Sequence, residues 1–204
     1  MTACSISSVG GPSAAPTWEA GIAPEAGIIE NPVSGERIMI RSGQHDRNGT
    51  LVWDLFLAPG GRVPSSHVHP EQEERFTVLS GRLAMRTGVT TRTVGPGETV
   101  TVTPGTVHSF ANRTVEPVHV LVQTQPALGM AALLETAAAL AQEQAAAHRS
   151  LPRLVDLVLF MREFEREVRA PYLPKALVRL VIRLLSGLAR AGGYDRHYLR
   201  LRVG

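Results

Sequence analysis

Cysteine is nearly missing from this chain. Cys4 is the only one in 204 residues, which excludes an internal disulfide and points to a reducing, cytoplasmic setting. Lysine is as scarce: Lys175 stands alone, and every other basic side chain is an arginine. Aromatic residues make up only 5% of the sequence. There is no run of about 18 uncharged apolar residues, so no membrane-spanning helix is expected. The first residues hold no basic cluster followed by an apolar stretch, and no secretory signal is expected. Neither zinc-finger spacing nor a basic strand interleaved with aromatics occurs, so nucleic acid is not an expected partner.

What is present is unevenly distributed. Residues 1–148 carry 9 basic and 13 acidic side chains, whereas residues 149–204 carry 12 basic and 5 acidic ones. The net charge of +3 thus belongs to the C-terminal quarter, and the larger part of the chain is acidic. Patterning changes along the chain too. Residues 1–30 are read as a flexible N-terminal segment, rich in Ser, Gly, Pro and Ala. From Asn31 to Pro126 short apolar–polar alternations are separated by Gly- and Pro-containing turns, the pattern of an all-β sandwich or barrel. The expected strands are Glu36–Arg41, Leu51–Leu57, Val63–Val68, Glu74–Leu79, Leu83–Thr87, Thr90–Val94, Thr99–Val102, Ser109–Asn112 and Val118–Gln123.

Residues 127–204 change character. An alanine-rich helix is expected over Met130–Ala147, a second from Ser150 to about Arg169, and a third over Lys175–Arg190. In the third, Leu177, Leu180, Val181, Leu184, Leu185 and Leu188 oppose Arg179, Arg183 and Arg190. Such a stripe is expected to pack on the β domain or on a second subunit, which favours a homodimer. A role on a membrane surface ranks behind that expectation.

The chemistry concentrates in one set of residues. His67-Val68-His69 puts two imidazoles on one face of an extended strand, Glu74 adds a carboxylate, and His108 adds a third imidazole. Imidazole and carboxylate together suit a divalent first-row transition metal. Gly81 is expected to turn a hairpin after the Glu74–Leu79 strand, and Pro104-Gly105 to bring His108 back against the first pair. Glu71 and Glu73 read as solvated loop carboxylates, and His45, His119, His148 and His197 as surface or packing residues.

The spacing itself carries a resemblance. Gly61, five residues, His67-x-His69, four residues, Glu74, six residues and Gly81 resemble the first cupin motif. Gly97, Pro104-Gly105, two residues, His108, three residues and Asn112 resemble the second, with Pro-Gly standing where the family more often has Pro-x-Gly. The resemblance implies a mainly β fold: a cupin jelly-roll β-barrel over residues 31–126, with residues 127–204 as a C-terminal α-helical extension. It implies His67, His69, Glu74 and His108 as metal ligands, and Glu74 as a catalytic base. The implied metal is Fe(II) first, then Mn, Ni or Zn. The implied activity is that of a quercetinase-like dioxygenase acting on an aromatic or enol-containing small molecule. A metal-assisted isomerase, cyclase or lyase, and a non-catalytic small-molecule-binding cupin, are the other readings. Trp53, Phe56, Phe76 and Phe110 are candidates to line an apolar pocket.

Overall fold

The computed structural model describes residues 27–41, 49–63, 65–171 and 175–202. Cys4, His45 and nearly all of the expected N-terminal segment lie outside them.

Alternation builds the β part. In β9 (Val118–Gln125) Val118, Val120, Val122 and Thr124 are buried, while the residues between them face outward. The same period places Leu51, Trp53, Leu55 and Leu57 of β3 (Leu51–Leu57) inside. A six-stranded antiparallel sheet has the order β1-β2-β3-β9-β4-β7, where β1 is Ile28–Asn31, β2 Glu36–Ile40, β4 Glu73–Ser80 and β7 Thr99–Val102. A three-stranded antiparallel sheet has the order β6-β5-β8, with β5 at Leu83–Thr87, β6 at Thr90–Val94 and β8 at His108–Ala111. Leu83, Met85, Val94 and Phe110 of the small sheet share one apolar core with the inward residues of the large one. This is the jelly-roll arrangement.

Gly81 turns the chain, though not as a hairpin. β4 pairs with β7 and β9, while β5 pairs with β6 and β8, so the turn passes from one sheet to the other. Its φ is +76°, and a Cβ there would lie 2.5 Å from the Pro117 carbonyl oxygen; only glycine fits. The expected strand over Val63–Val68 is also reduced. Arg62, His67 and Val68 make isolated bridges only: Arg62 and His67 meet the two ends of β8, and Val68 turns to Arg169. β1 was not expected, because its four residues are few and end in Glu30 and in the Asn31 of the Asn31-Pro32 turn signal.

The helical extension has four helices. α1 (Met130–Ala146) buries Met130 and Leu133 in the main core and Leu140 in a second cluster with Leu159 and Tyr198. α2 (Leu154–Glu163) stops six residues short of the expected end. Tertiary contacts override helix propensity there. Phe164 joins the main core, the Glu167 carboxylate accepts the Gly129 N–H at 2.9 Å, and Arg169 exchanges two backbone hydrogen bonds with Val68. α3 (Lys175–Ala191) is present as expected, and α4 (Arg196–Leu201) follows it unforeseen.

Candidate metal centre

His67 and His108 are held against each other by paired backbone hydrogen bonds, His67 N–H to His108 O at 3.1 Å and the reverse at 3.0 Å. His69 is fixed from the second motif, because its carbonyl accepts the Gly105 N–H at 2.8 Å. Gly105 makes that approach with a φ of +77°, which explains the glycine of the Pro104-Gly105 pair. The result is a tight group. One ring nitrogen from each of His67, His69 and His108 lies within 4.8 Å of the other two.

The other ring nitrogens decide what that group can do. His67 Nδ1 faces the Ser65 carbonyl at 3.1 Å, His69 Nδ1 the Glu167 carbonyl at 2.5 Å, and His108 Nδ1 the Thr106 carbonyl at 3.1 Å. A carbonyl can only accept, so all three Nδ1 atoms carry the proton and donate it. All three Nε2 atoms are then left with a lone pair when the rings are neutral. His108 Nε2 is buried without a hydrogen-bond partner, the signature of a group that expects a further atom. Three backbone carbonyls set three imidazoles to act as ligands.

Glu74 stands beside them. Its Oε2 is 3.1 Å from His69 Nε2 and 3.3 Å from His108 Nε2, and its Oε1 accepts the Thr124 hydroxyl at 3.1 Å. Thr124 in turn accepts the Trp53 indole N–H at 3.2 Å. Burial alone would raise the Glu74 pKa, but the His69 charge and the close approach of the His108 and His69 Nε2 atoms hold it well below the usual carboxylate range. Burial pulls His69 down, but the Glu74 carboxylate and the Glu167 carbonyl outweigh that and raise it. His67 goes the other way: removal from water and the two neighbouring imidazoles push it down to about 3. Without a metal, a proton on His69 Nε2 separates that lone pair from the carboxylate; a divalent cation can take the place of this proton. The donor set therefore fits a metal ion.

The structure brings His67, His69, Glu74 and His108 together. His67 is partly exposed, so the group opens to solvent on its side, while His69, Glu74 and His108 are buried. Phe76 approaches His108 with ring centroids 6.2 Å apart, and Phe110 packs tilted against Phe76 at 5.8 Å. Phe56 does not line this region. It points to the opposite face of the sheet and stacks on His119 at 4.2 Å, since odd-numbered residues of β3 take the inward positions. His119 donates to Asp54 at 2.7 Å and His197 Nδ1 lies 2.9 Å from Asp156, away from the imidazole group. Glu71 and Glu73 pair with Arg166 and Arg75.

Two supporting residues were missed in the sequence reading. Thr124 had a signal: it is the polar residue that continues the inward series Val118, Val120, Val122. Glu167 had none, because it lies 98 positions from His69 within a stretch that reads as helix.

Residues 53–124 match the family model described as Cupin domain. Over those residues the chain is similar to a cupin domain. No curated protein matches the sequence. Among solved structures, a sugar phosphate isomerase from the cupin superfamily of Silicibacter pomeroyi is 26% identical, with a TM-score of 0.42. That likeness covers 46% of this chain and 60% of the other, so the chain spans less than two thirds of that relative. An RmlC-like cupin from Shewanella frigidimarina is 13% identical over 52% of this chain and 87% of its own, with a TM-score of 0.45. The cupin domain of an XRE-family transcriptional regulator from Enterobacter cloacae is 22% identical over 45% and 96%, with a TM-score of 0.41. Their printed functions differ, and a shared fold assigns none of them to this chain.

Proposed function

We propose that this protein is a metal-dependent cupin enzyme, a dioxygenase acting on an aromatic or enol-containing small molecule, with iron(II) at the site. The observation that carries this reading is the set of three Nδ1-to-carbonyl hydrogen bonds, which leaves three Nε2 lone pairs converging beside a buried carboxylate. His67, His69 and His108 would hold the metal, with Glu74 as the fourth ligand. A divalent ion held there supplies Lewis acidity and, in the case of iron(II), one-electron chemistry.

The chain's own residues do the rest. Glu74 is kept ionised and oriented by Thr124, so it can accept the proton of an enol or phenol that enters beside His67. Phe76 and Phe110 form an apolar wall near His108 that favours a flat, weakly polar molecule. Partial exposure of His67 leaves the way in on its side.

The experiment is metal analysis of the purified protein, followed by oxygen uptake against a panel of phenols and enols. Iron at about one per chain with substrate-dependent oxygen consumption is the expected result. Turnover without oxygen uptake would move the assignment to a metal-assisted isomerase, cyclase or lyase. Metal binding with no turnover of any compound would favour a binding protein.

A further inference from the structure

The third helix was expected to bury its leucine stripe, and among the described residues the stripe stays uncovered. α3 packs on α2 through a different and narrower face, on which Ser186 and Ala189 are buried. Leu177, Leu180, Val181, Leu184, Leu185 and Leu188 all remain exposed, Leu184 at 59% and Leu188 at 69%. At roughly 100° per residue these six fall within an arc of about 140°. Contiguous apolar surface of this kind marks a contact with something outside the chain.

Charge says what that contact is. α3 contains no acidic residue, and residues 175–202 hold seven basic side chains against one acidic, Asp195. Arg179 and Arg202 are paired with Glu165 and Glu163, but Arg183, Arg190, Arg196 and Arg200 make no ion pair among the described residues. Arg179, Arg183 and Arg190 occupy an arc of roughly 40° on the flank of the leucine stripe beside Leu180. Long arginine stems at such a flank reach the polar boundary while the leucines sit deeper. Two copies joined on this face would set like charges together with no acid on α3 to offset them. An anionic lipid surface offsets them directly. No helix among the described residues is long and apolar enough to cross a membrane.

We propose that α3 seats its leucine face on anionic phospholipid, with Arg183 and Arg190 at the headgroup level, so that the protein works at a membrane surface. The test uses the full-length protein with two kinds of vesicle, pure phosphatidylcholine and an equal mixture of phosphatidylcholine with phosphatidylglycerol. Sedimentation should carry the protein down with the anionic vesicles only, and added salt should release it. Leu180→Gln/Leu184→Gln, both at exposed positions, should weaken partitioning by about tenfold or more with the circular dichroism and metal content unchanged. Arg183→Ala and Arg190→Ala should each weaken it about fivefold. Failure to bind anionic vesicles, or equal binding to both kinds, overturns the proposal. So does a dimer in light scattering that Leu184→Gln dissociates while vesicles leave the protein in the supernatant.

Discussion

The barrel and α3 use the same apolar residues to opposite ends. Leu55 and Val120 are fully buried between the two sheets, and every strand that carries such residues meets a partner strand within the chain. The leucines of α3 are as regularly spaced, yet the described residues offer them no counterpart. A period-2 pattern closes on itself once two sheets face each other. A helix with one face for α2 and a second that no described residue covers leaves a vacancy. Regular patterning tells which residues seek burial; it does not tell where the burial occurs.

Four expectations break or sharpen that contrast. The largest concerns the centre that the barrel encloses. Replacing two ligands, as in His67→Ala/His108→Ala, should reduce bound metal from about one per chain to almost none, measured by plasma emission. The same variant should leave vesicle binding by α3 intact, because no residue of the stripe touches the site. Wild-type metal content in the double variant would remove the centre from these residues.

Next comes packing. Leu55→Ala should cost about 2–5 kcal/mol in urea unfolding, while Leu184→Ala should fall within about 0.5 kcal/mol of wild type. Equal costs at both positions would mean that α3 is covered in solution, and the contrast would vanish.

The third expectation asks how dry the barrel wall is. Burial raises the Glu36 carboxyl to about 7, against the pull of its hydrogen bond from Ser34. The folded state therefore binds this proton more tightly than the unfolded chain does. Stability is greatest below the ordinary carboxylate pKa, falls as pH rises from 4.5 to about 7, and levels off above. Glu36→Gln keeps an oxygen for the Ser34 hydroxyl and removes the charge. It should match wild type at pH 4 and exceed it by about 2 kcal/mol at pH 8. An identical pH profile in the two proteins would contradict the shift.

The smallest is Thr124→Val, which keeps the shape and removes the hydroxyl between Trp53 and Glu74. Metal affinity should fall about tenfold, read by competition with a chromophoric chelator, with little change in melting temperature. An unchanged affinity would make Thr124 a packing residue only.

Much of this was legible before any coordinates. β3, β5, β6 and β7 fall where the sequence pattern and turn residues put them, because each is short and bounded by Gly, Asn or Pro. The meeting of His67, His69, Glu74 and His108 was legible too, since their spacing in two strand-turn segments is a local property. The failures are all long-range. Whether β4 turns back on itself or passes to the other sheet at Gly81 depends on Pro117, 36 positions away. The α2 end at Glu163 depends on Gly129 and Val68. Phe56 stood with Trp53, Phe76 and Phe110 among the pocket candidates because alternation alone does not reveal which of two faces each aromatic takes. No local rule could supply the Glu167 carbonyl to His69.

That last hydrogen bond sets a schedule for the making of the protein. Residues 53–124 leave the ribosome before Glu167 has been joined to the chain, so the nascent barrel can fold with His69 Nδ1 lacking its acceptor. Until the Val68–Arg169 bridge closes, nothing fixes which nitrogen of His69 faces the other imidazoles. A metal taken up at the finished site would thus be selected by a chain nearly complete, after α1 and α2 have been made. A nascent chain arrested before Phe164 should take up metal more weakly than the released protein.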